Sequence, residues 1–262
     1  RAFVLVDSMH SSVARSSVAR SSVAHPSLAQ SSVAQSSAGA RRKPGRPKDA
    51  ARTARRSAEI LDAATAIFAE RGYAATDLQL VAARLGVGKG TVYRHFGAKE
   101  TLFLAAVDRG MNLLREAVES ATRAAPSPLD RVRLAVHAYL KFFDEHPEQI
   151  ELLIQERAHF RDRQTPTYFA HQQADLKPWR ELFRDMIRSG EVREVPVDRI
   201  TDVLSDLVYG TMFTTYFAGR RKPLARQCAD LLDIVFHGIL ADPPRPRNSV
   251  RTPIRKATSK RR

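Results

Sequence analysis

The sequence predicts an all-α protein: a three-helix head followed by an all-helical domain, about nine helices in all. Three observations predict it. Apolar residues recur at three- and four-residue spacing through most of residues 52–240. The breaks between these runs fall at glycines, prolines and Ser-Pro clusters, where helices stop. No stretch alternates apolar and polar residues as a half-buried strand does.

Charge divides the 262 residues into arms and a near-neutral middle. The net charge is +15. Residues 41–56 carry eight cations against Asp49, and residues 243–262 carry eight cations and no acid. Basic arms of this kind usually meet a polyanion, most often nucleic acid. Cys228 is the lone cysteine, which rules out a disulfide framework within the chain and suits a reducing cytosol. The longest apolar run, L-L-D-I-V-F-H-G-I-L, is interrupted by Asp233 and His237 and falls short of the roughly 20 residues of a membrane span. The opening R-A-F-V-L-V is too short for a signal-peptide core. A cytoplasmic, nucleoid-associated protein with no membrane partner is expected.

Residues 1–40 repeat S-S-V-A-R and close variants every five residues. That period suits neither helix nor strand, so the tract is expected to be disordered, with an organellar transit peptide as the alternative and Met9 as a candidate start. Residues 41–51 form a basic arm. In R-R-K-P-G-R-P-K, Pro44 and Pro47 are expected to hold the backbone extended. G-R-P between cations resembles an AT-hook, a minor-groove reader, with Arg42, Lys43, Arg46 and Lys48 as its contacts. The alternative is a solvated basic linker. Residues 243–262 are expected to be a disordered basic tail.

Helix one is expected from about Arg52 to Arg71, with Ile60, Ala64, Ile67 and Phe68 inward and Gly72 closing it. Asp77 is a good N-cap for a second helix, whose inner face is Leu78, Val81, Ala82 and Leu85. Gly86 supplies the left-handed residue past its end. A third helix covers about Lys89 to Phe96, with Val92 and Phe96 inward. Two short helices about a glycine turn form the helix-turn-helix plan, whose second helix enters the DNA major groove. Gln79, Lys89, Thr91, Tyr93, Arg94 and His95 face outward, all donors to phosphates or base edges. No acid lies between Asp77 and Glu100. The head is assigned residues 52–98.

The run G-V-G-K-G-T-V-Y-R-H-F-G-A-K-E-T-L-F, with I-L-D-A-A-T-A-I-F-A-E-R-G-Y-A-A-T ahead of it, resembles the DNA-binding domain of the TetR family of bacterial transcriptional regulators. The resemblance covers residues 57–107. It implies that Thr91, Tyr93 and His95 contact phosphates or base edges, that Lys99 grips a phosphate, and that Gln79 reads a base. It also implies a variable helical domain that binds a small molecule and dimerises. Two positions depart from the family pattern. Asp77 stands where Ser or Thr is usual, and Leu80 where an acid often completes a capping box.

That second domain is assigned residues 99–242. Helices are expected at about Lys99–Arg123, Leu129–Glu145, Pro147–Arg161, Thr167–Ser189 (kinked or split at Pro178), Val197–Ala218 and Leu224–Leu240. The last two are strongly apolar. Leu204, Leu207, Met212, Leu224, Leu231 and Val235 are expected at a homodimer interface, with a plain monomer core as the alternative. Dimers bind half-sites about 34–36 Å apart, and a single helix-turn-helix reads few bases.

Phe142, Glu156, His159, Phe160, Tyr168 and Trp179 are candidates for lining a pocket for the small-molecule effector. Glu156 and His159, with His137 and His171, do not have the spacing of a metal site, so no metal and no cofactor are expected. No phosphate loop, nucleophile elbow or metalloprotease helix occurs in the sequence, so no enzyme is expected. The reading is a dimeric regulator, a repressor released from a palindromic operator by ligand, with efflux or lipophile-responsive genes as the default regulon. The rivals are an architectural DNA-binding protein without effector and a metabolite-binding enzyme on an all-α fold.

Overall fold

Helix α1 sets the frame. The computed structural model describes residues 47–219 and 223–237, and α1 spans Pro47–Ala75. It starts five residues before Arg52, so Pro47 opens the helix instead of extending the arm. Proline's fixed φ suits a first helical turn, where its missing N–H would be unpaired anyway. The helical path breaks at Gly72, with φ 81° and ψ 159°. Only glycine takes that conformation cheaply.

The head closes with α2 (Leu78–Arg84) and α3 (Lys89–Phe96). The Asp77 carboxylate accepts the Leu80 N–H at 2.9 Å. Gly86, at φ 63°, turns the chain, and the Gly86 and Val87 N–H groups donate to the Ala83 and Ala82 carbonyls at 3.1 and 3.0 Å. Those bonds satisfy carbonyls that a helix end otherwise leaves unpaired. Ile60, Ala64, Ile67 and Phe68 bury against Leu78, Val81, Ala82 and Val92. Leu85 and Phe96, expected inward, are only partly buried at the edge of this core.

The body contains α4 (Lys99–Thr122), α5 (Pro128–Glu145), α6 (Pro147–His159), α7 (Thr167–Arg188), α8 (Val197–Phe217) and α9 (Leu224–His237). No strand occurs among the described residues. Ser127 caps α5 by accepting the Asp130 N–H at 3.1 Å, with Pro128 in the first turn. Helix α7 runs unbroken through Pro178 and does not split there. Tyr168 before the proline and Phe183 after it both bury, the first hydrogen-bonded to Tyr139 of α5 and the second against Val132 of α5. Anchoring on both sides keeps the two halves in line.

Helix α4 is central, packing on α1, α5, α6 and α7. Head and body share a ring cluster. Phe103 meets Phe68 at 5.0 Å and Tyr73 at 5.1 Å between centroids, and Phe160 meets Tyr73 at 5.0 Å. The Gln155 Nε2 of α6 donates to the Phe68 carbonyl of α1 at 2.9 Å, fully buried. A buried carbonyl without a partner would be costly, so this bond satisfies α1 from across the junction.

Candidate nucleic-acid interface and ligand cavity

The outer side of the head is built on α3. Val92 is fully buried and fixes the helix roll; Lys89, Tyr93 and Arg94 then face solvent. Lys89 Nζ lies 5.2 Å from the centre of the Tyr93 ring, a cation–π contact that pre-orders both. Thr91 is half-buried. His95 is held from behind: its Nδ1 shares a hydrogen bond with the Ser57 hydroxyl of α1 at 3.0 Å. That leaves Nε2 as its outward edge. Gln79 is exposed on α2. Gly97, at φ 70°, ends α3, its N–H bonded to the Tyr93 carbonyl at 2.8 Å.

Lys99 sits differently from the rest. Its Nζ donates to the Tyr73 carbonyl at 2.9 Å and the Ala74 carbonyl at 3.3 Å, and lies 4.4 Å from the Tyr73 ring centre. It therefore caps the end of α1 from the start of α4. The first turn of α4 has no side-chain cap, so its N–H groups are open to an anion, although Glu100 stands among them. Arg42, Lys43 and Arg46 lie outside the described residues. Lys48 falls within α1.

A cavity of about 460 Å³ opens in the body between α4, α5, α7 and α8. Met111, Leu114, Val136, Phe183 and Val208 make it apolar. Of the six pocket candidates, only Tyr168 and Trp179 line it. Phe142 is buried at the end of α5, against Phe143 and His146. Glu156 is buried too, and it is structural. One carboxylate oxygen accepts the Thr167 N–H at 2.9 Å and the Thr167 hydroxyl at 2.7 Å, and Arg163 pairs with it. His159 and Phe160 pack against Tyr73 at the junction, the first tilted and the second edge-on.

Sequence reasoning missed several of the cavity's polar groups: Arg115, Glu119, Arg131, Tyr139 and Asp175. Tyr139 and Tyr168 share a hydroxyl–hydroxyl bond at 2.9 Å. Burial pushes the Tyr139 phenol well up and Tyr168 up to about 12, so both stay protonated. Burial also raises the Asp175 carboxyl, against the opposing pull of Arg115 and His171. His171 Nε2 meets Asp108 at 2.7 Å.

The dimer candidates divide. Met212 and Leu224 are enclosed within the chain, where no partner can touch them. Leu204 lines the cavity. Leu231 and Val235 are half-buried, and Leu207 is exposed. The open side of α8 is instead Val203, Leu207, Gly210, Thr214 and Phe217, a stripe at heptad spacing. Phe217 is 70% exposed, and Ile234 of α9 is 51% exposed.

Among the described residues, no group of three His, Cys, Asp or Glu side chains could hold a metal ion, and no helix is long and apolar enough to cross a membrane.

Residues 60–106 match the family described as bacterial regulatory proteins, tetR family. The chain is 35% identical over 119 residues to the HTH-type transcriptional activator FasR of Mycolicibacterium smegmatis, covering 45% of this chain and 52% of FasR. It thus spans about half of that relative's length. It is 34% identical over 163 residues to the HTH-type transcriptional repressor Rv3405c of Mycobacterium tuberculosis, covering 58% of this chain and 86% of the repressor. The fold is similar to that of the transcriptional regulator FadR of Bacillus subtilis, solved in complex with stearoyl-CoA. The TM-score is 0.59 at 19% identity, over 70% of this chain and 99% of FadR.

Proposed function

The chain belongs to the TetR family of bacterial transcriptional regulators, and from that premise we propose a repressor that binds a palindromic operator as a homodimer and leaves it when a lipophilic effector fills the cavity. The observation that carries this reading is the outer side of α3. Lys89, Tyr93 and Arg94 are exposed together on a helix whose roll is fixed by Val92 and whose His95 is tied to Ser57. In the groove, Arg94 and Gln79 would read base edges, while Lys89, Thr91, Tyr93, His95 and the first turn of α4 would hold phosphates.

Dimerisation would use the outer stripe of α8. Val203, Leu207 and Phe217 are large, apolar and exposed, and Gly210 between them leaves room for a second helix to approach. The name of the activator FasR and that of the repressor Rv3405c show both signs among relatives. Repression is the simpler use of a ligand-gated dimer, because a ligand need only favour the conformation that fits DNA less well. A lipophilic effector suits the apolar cavity, and stearoyl-CoA in FadR is an example in a similar fold. The basic arm at Arg42, Lys43, Arg46 and Lys48 would add a salt-dependent grip on the flanking minor groove.

Fluorescence anisotropy with DNA from upstream of the chain's own gene tests this function. A dimer should bind one palindrome far more tightly than scrambled DNA at moderate salt. Equal affinity for both would favour an architectural protein instead.

A further inference from the structure

The cavity has a polar handle at each end. One is the Tyr139–Tyr168 hydroxyl pair. Two phenols carry two protons, and one proton makes the bond between them. Tyr139 also reaches Met212 Sδ at 3.9 Å, and a thioether accepts weakly. The pair therefore keeps a donor that an oxygen acceptor would take in preference to sulfur.

The other handle is Arg131. Its guanidinium lies 5.6 Å from the Trp179 ring centre and carries no ion pair among the described residues. Elsewhere in the body Arg109, Arg133, Arg163, Arg180 and Arg188 are all paired with acids. Arg115, also on the wall, donates to Asn112 instead of to an acid. Glu119 is exposed, as Arg115 and Arg131 are, so solvent screens all three alike, and burial disfavours the charge on Asp175. The wall thus sets two cations against one exposed carboxylate and a second whose charge burial disfavours.

Arg131, Ala135 and Tyr139 follow one another at four-residue spacing on α5, and all three line the cavity. The two handles are therefore roughly 12 Å apart along the helix axis. Ala135 between them has the smallest side chain that still covers the helix, so an apolar chain can lie across it. Trp179 and Tyr168 of α7 stand opposite the same two ends.

Resting on the effector reading above, we propose that the cavity takes an elongated apolar carboxylate bearing a second oxygen at its far end. The carboxylate pairs with Arg131, the chain lies over Ala135, and a hydroxyl or keto oxygen accepts from the Tyr139–Tyr168 pair. A site that hydrogen-bonds an oxygen discriminates against the analogue lacking it, because its own buried donor is then left unpaired.

Trp179 is the chain's single tryptophan, so its fluorescence reports the cavity directly in the full-length protein. Three probes of equal chain length are titrated: 10-hydroxydecanoate, decanoate and decyltrimethylammonium. The hydroxy acid should bind at least about tenfold more tightly than decanoate. Tyr168→Phe, and separately Tyr139→Phe, should erase that difference and leave decanoate unchanged. Arg131→Met should weaken both acids about tenfold or more and remove their advantage over the ammonium. Calorimetry on the same samples provides a second readout. Equal binding of the two acids by the unaltered protein, tightest binding of the ammonium, or binding of none of the three overturns the proposal. Operator DNA separates it from the effector reading. Hydroxy-acid binding that leaves operator affinity unchanged refutes the effector role and upholds the cavity chemistry. Release by decanoate and the hydroxy acid alike refutes the cavity chemistry and upholds the effector role.

Discussion

Helices α3 and α6 are both short and both carry several polar residues, but they spend them in opposite ways. On α3, Lys89, Tyr93 and Arg94 reach solvent, and only His95 is tied inward. On α6, Gln149, Gln155 and Glu156 are buried. Gln155 satisfies the Phe68 carbonyl of α1, and Glu156 holds Thr167 at the start of α7. The exposed polar side chains of α3 are free to meet a partner, while Gln155 and Glu156 of α6 already fasten neighbouring helices. A polar residue on a helix points to a site only after its own partners are known.

Four substitutions test this contrast, from the largest effect to the smallest. Glu156→Ala should lower unfolding free energy by about 3 kcal/mol, because it strands the buried Thr167 N–H and unpairs Arg163. Chemical denaturation measures it, and the Trp179 titration should not move; a weakened titration would restore Glu156 to the ligand site. Arg94→Ala should do the reverse, costing about 2 kcal/mol of operator affinity with no change in Tm. Lys99→Met stands between the two. Losing its bonds to the Tyr73 and Ala74 carbonyls should cost about 1–2 kcal/mol of stability. If Lys99 also holds a phosphate, log affinity should fall less steeply with log salt, by about 0.9 for each copy bound. An unchanged slope would make it a helix cap alone. Ser57→Ala should cost about 0.5–1 kcal/mol of stability and loosen His95, seen as a small loss of operator affinity that Arg94→Ala would not add to.

The head was readable because its signals are local. Asp77, Gly86 and Gly97 mark helix ends within a residue or two, and the apolar spacing from Ile60 to Val92 names the buried face. Pro47 misled because proline suits both an extended arm and a first helical turn. The body was less readable. On α8 nearly every side carries apolar residues, so spacing alone could not tell buried Met212 from exposed Val203 and Phe217. Tyr139 and Tyr168 are 29 residues apart, and Gln155 and Phe68 are 87 apart. Pairings of that range leave no periodic trace; they come from how helices cross. Arg131 escaped notice because in sequence it is one arginine of many, and its place on the cavity wall beside Trp179 is what sets it apart.

The Gln155–Phe68 bond bears on how this protein can be cut. A fragment ending at Ala98 would keep the whole helix-turn-helix and still lose the donor to the Phe68 carbonyl, the Lys99 cap on α1 and the Phe103 and Phe160 rings against Tyr73. Its α1 would present to water an aromatic face that evolved under cover. Such a fragment is a poor candidate for autonomous folding or for grafting onto another body. The smallest transferable reading unit extends through α4 and includes α6, so an exchange of operator specificity between relatives is best made by changing the exposed residues of α2 and α3 in place.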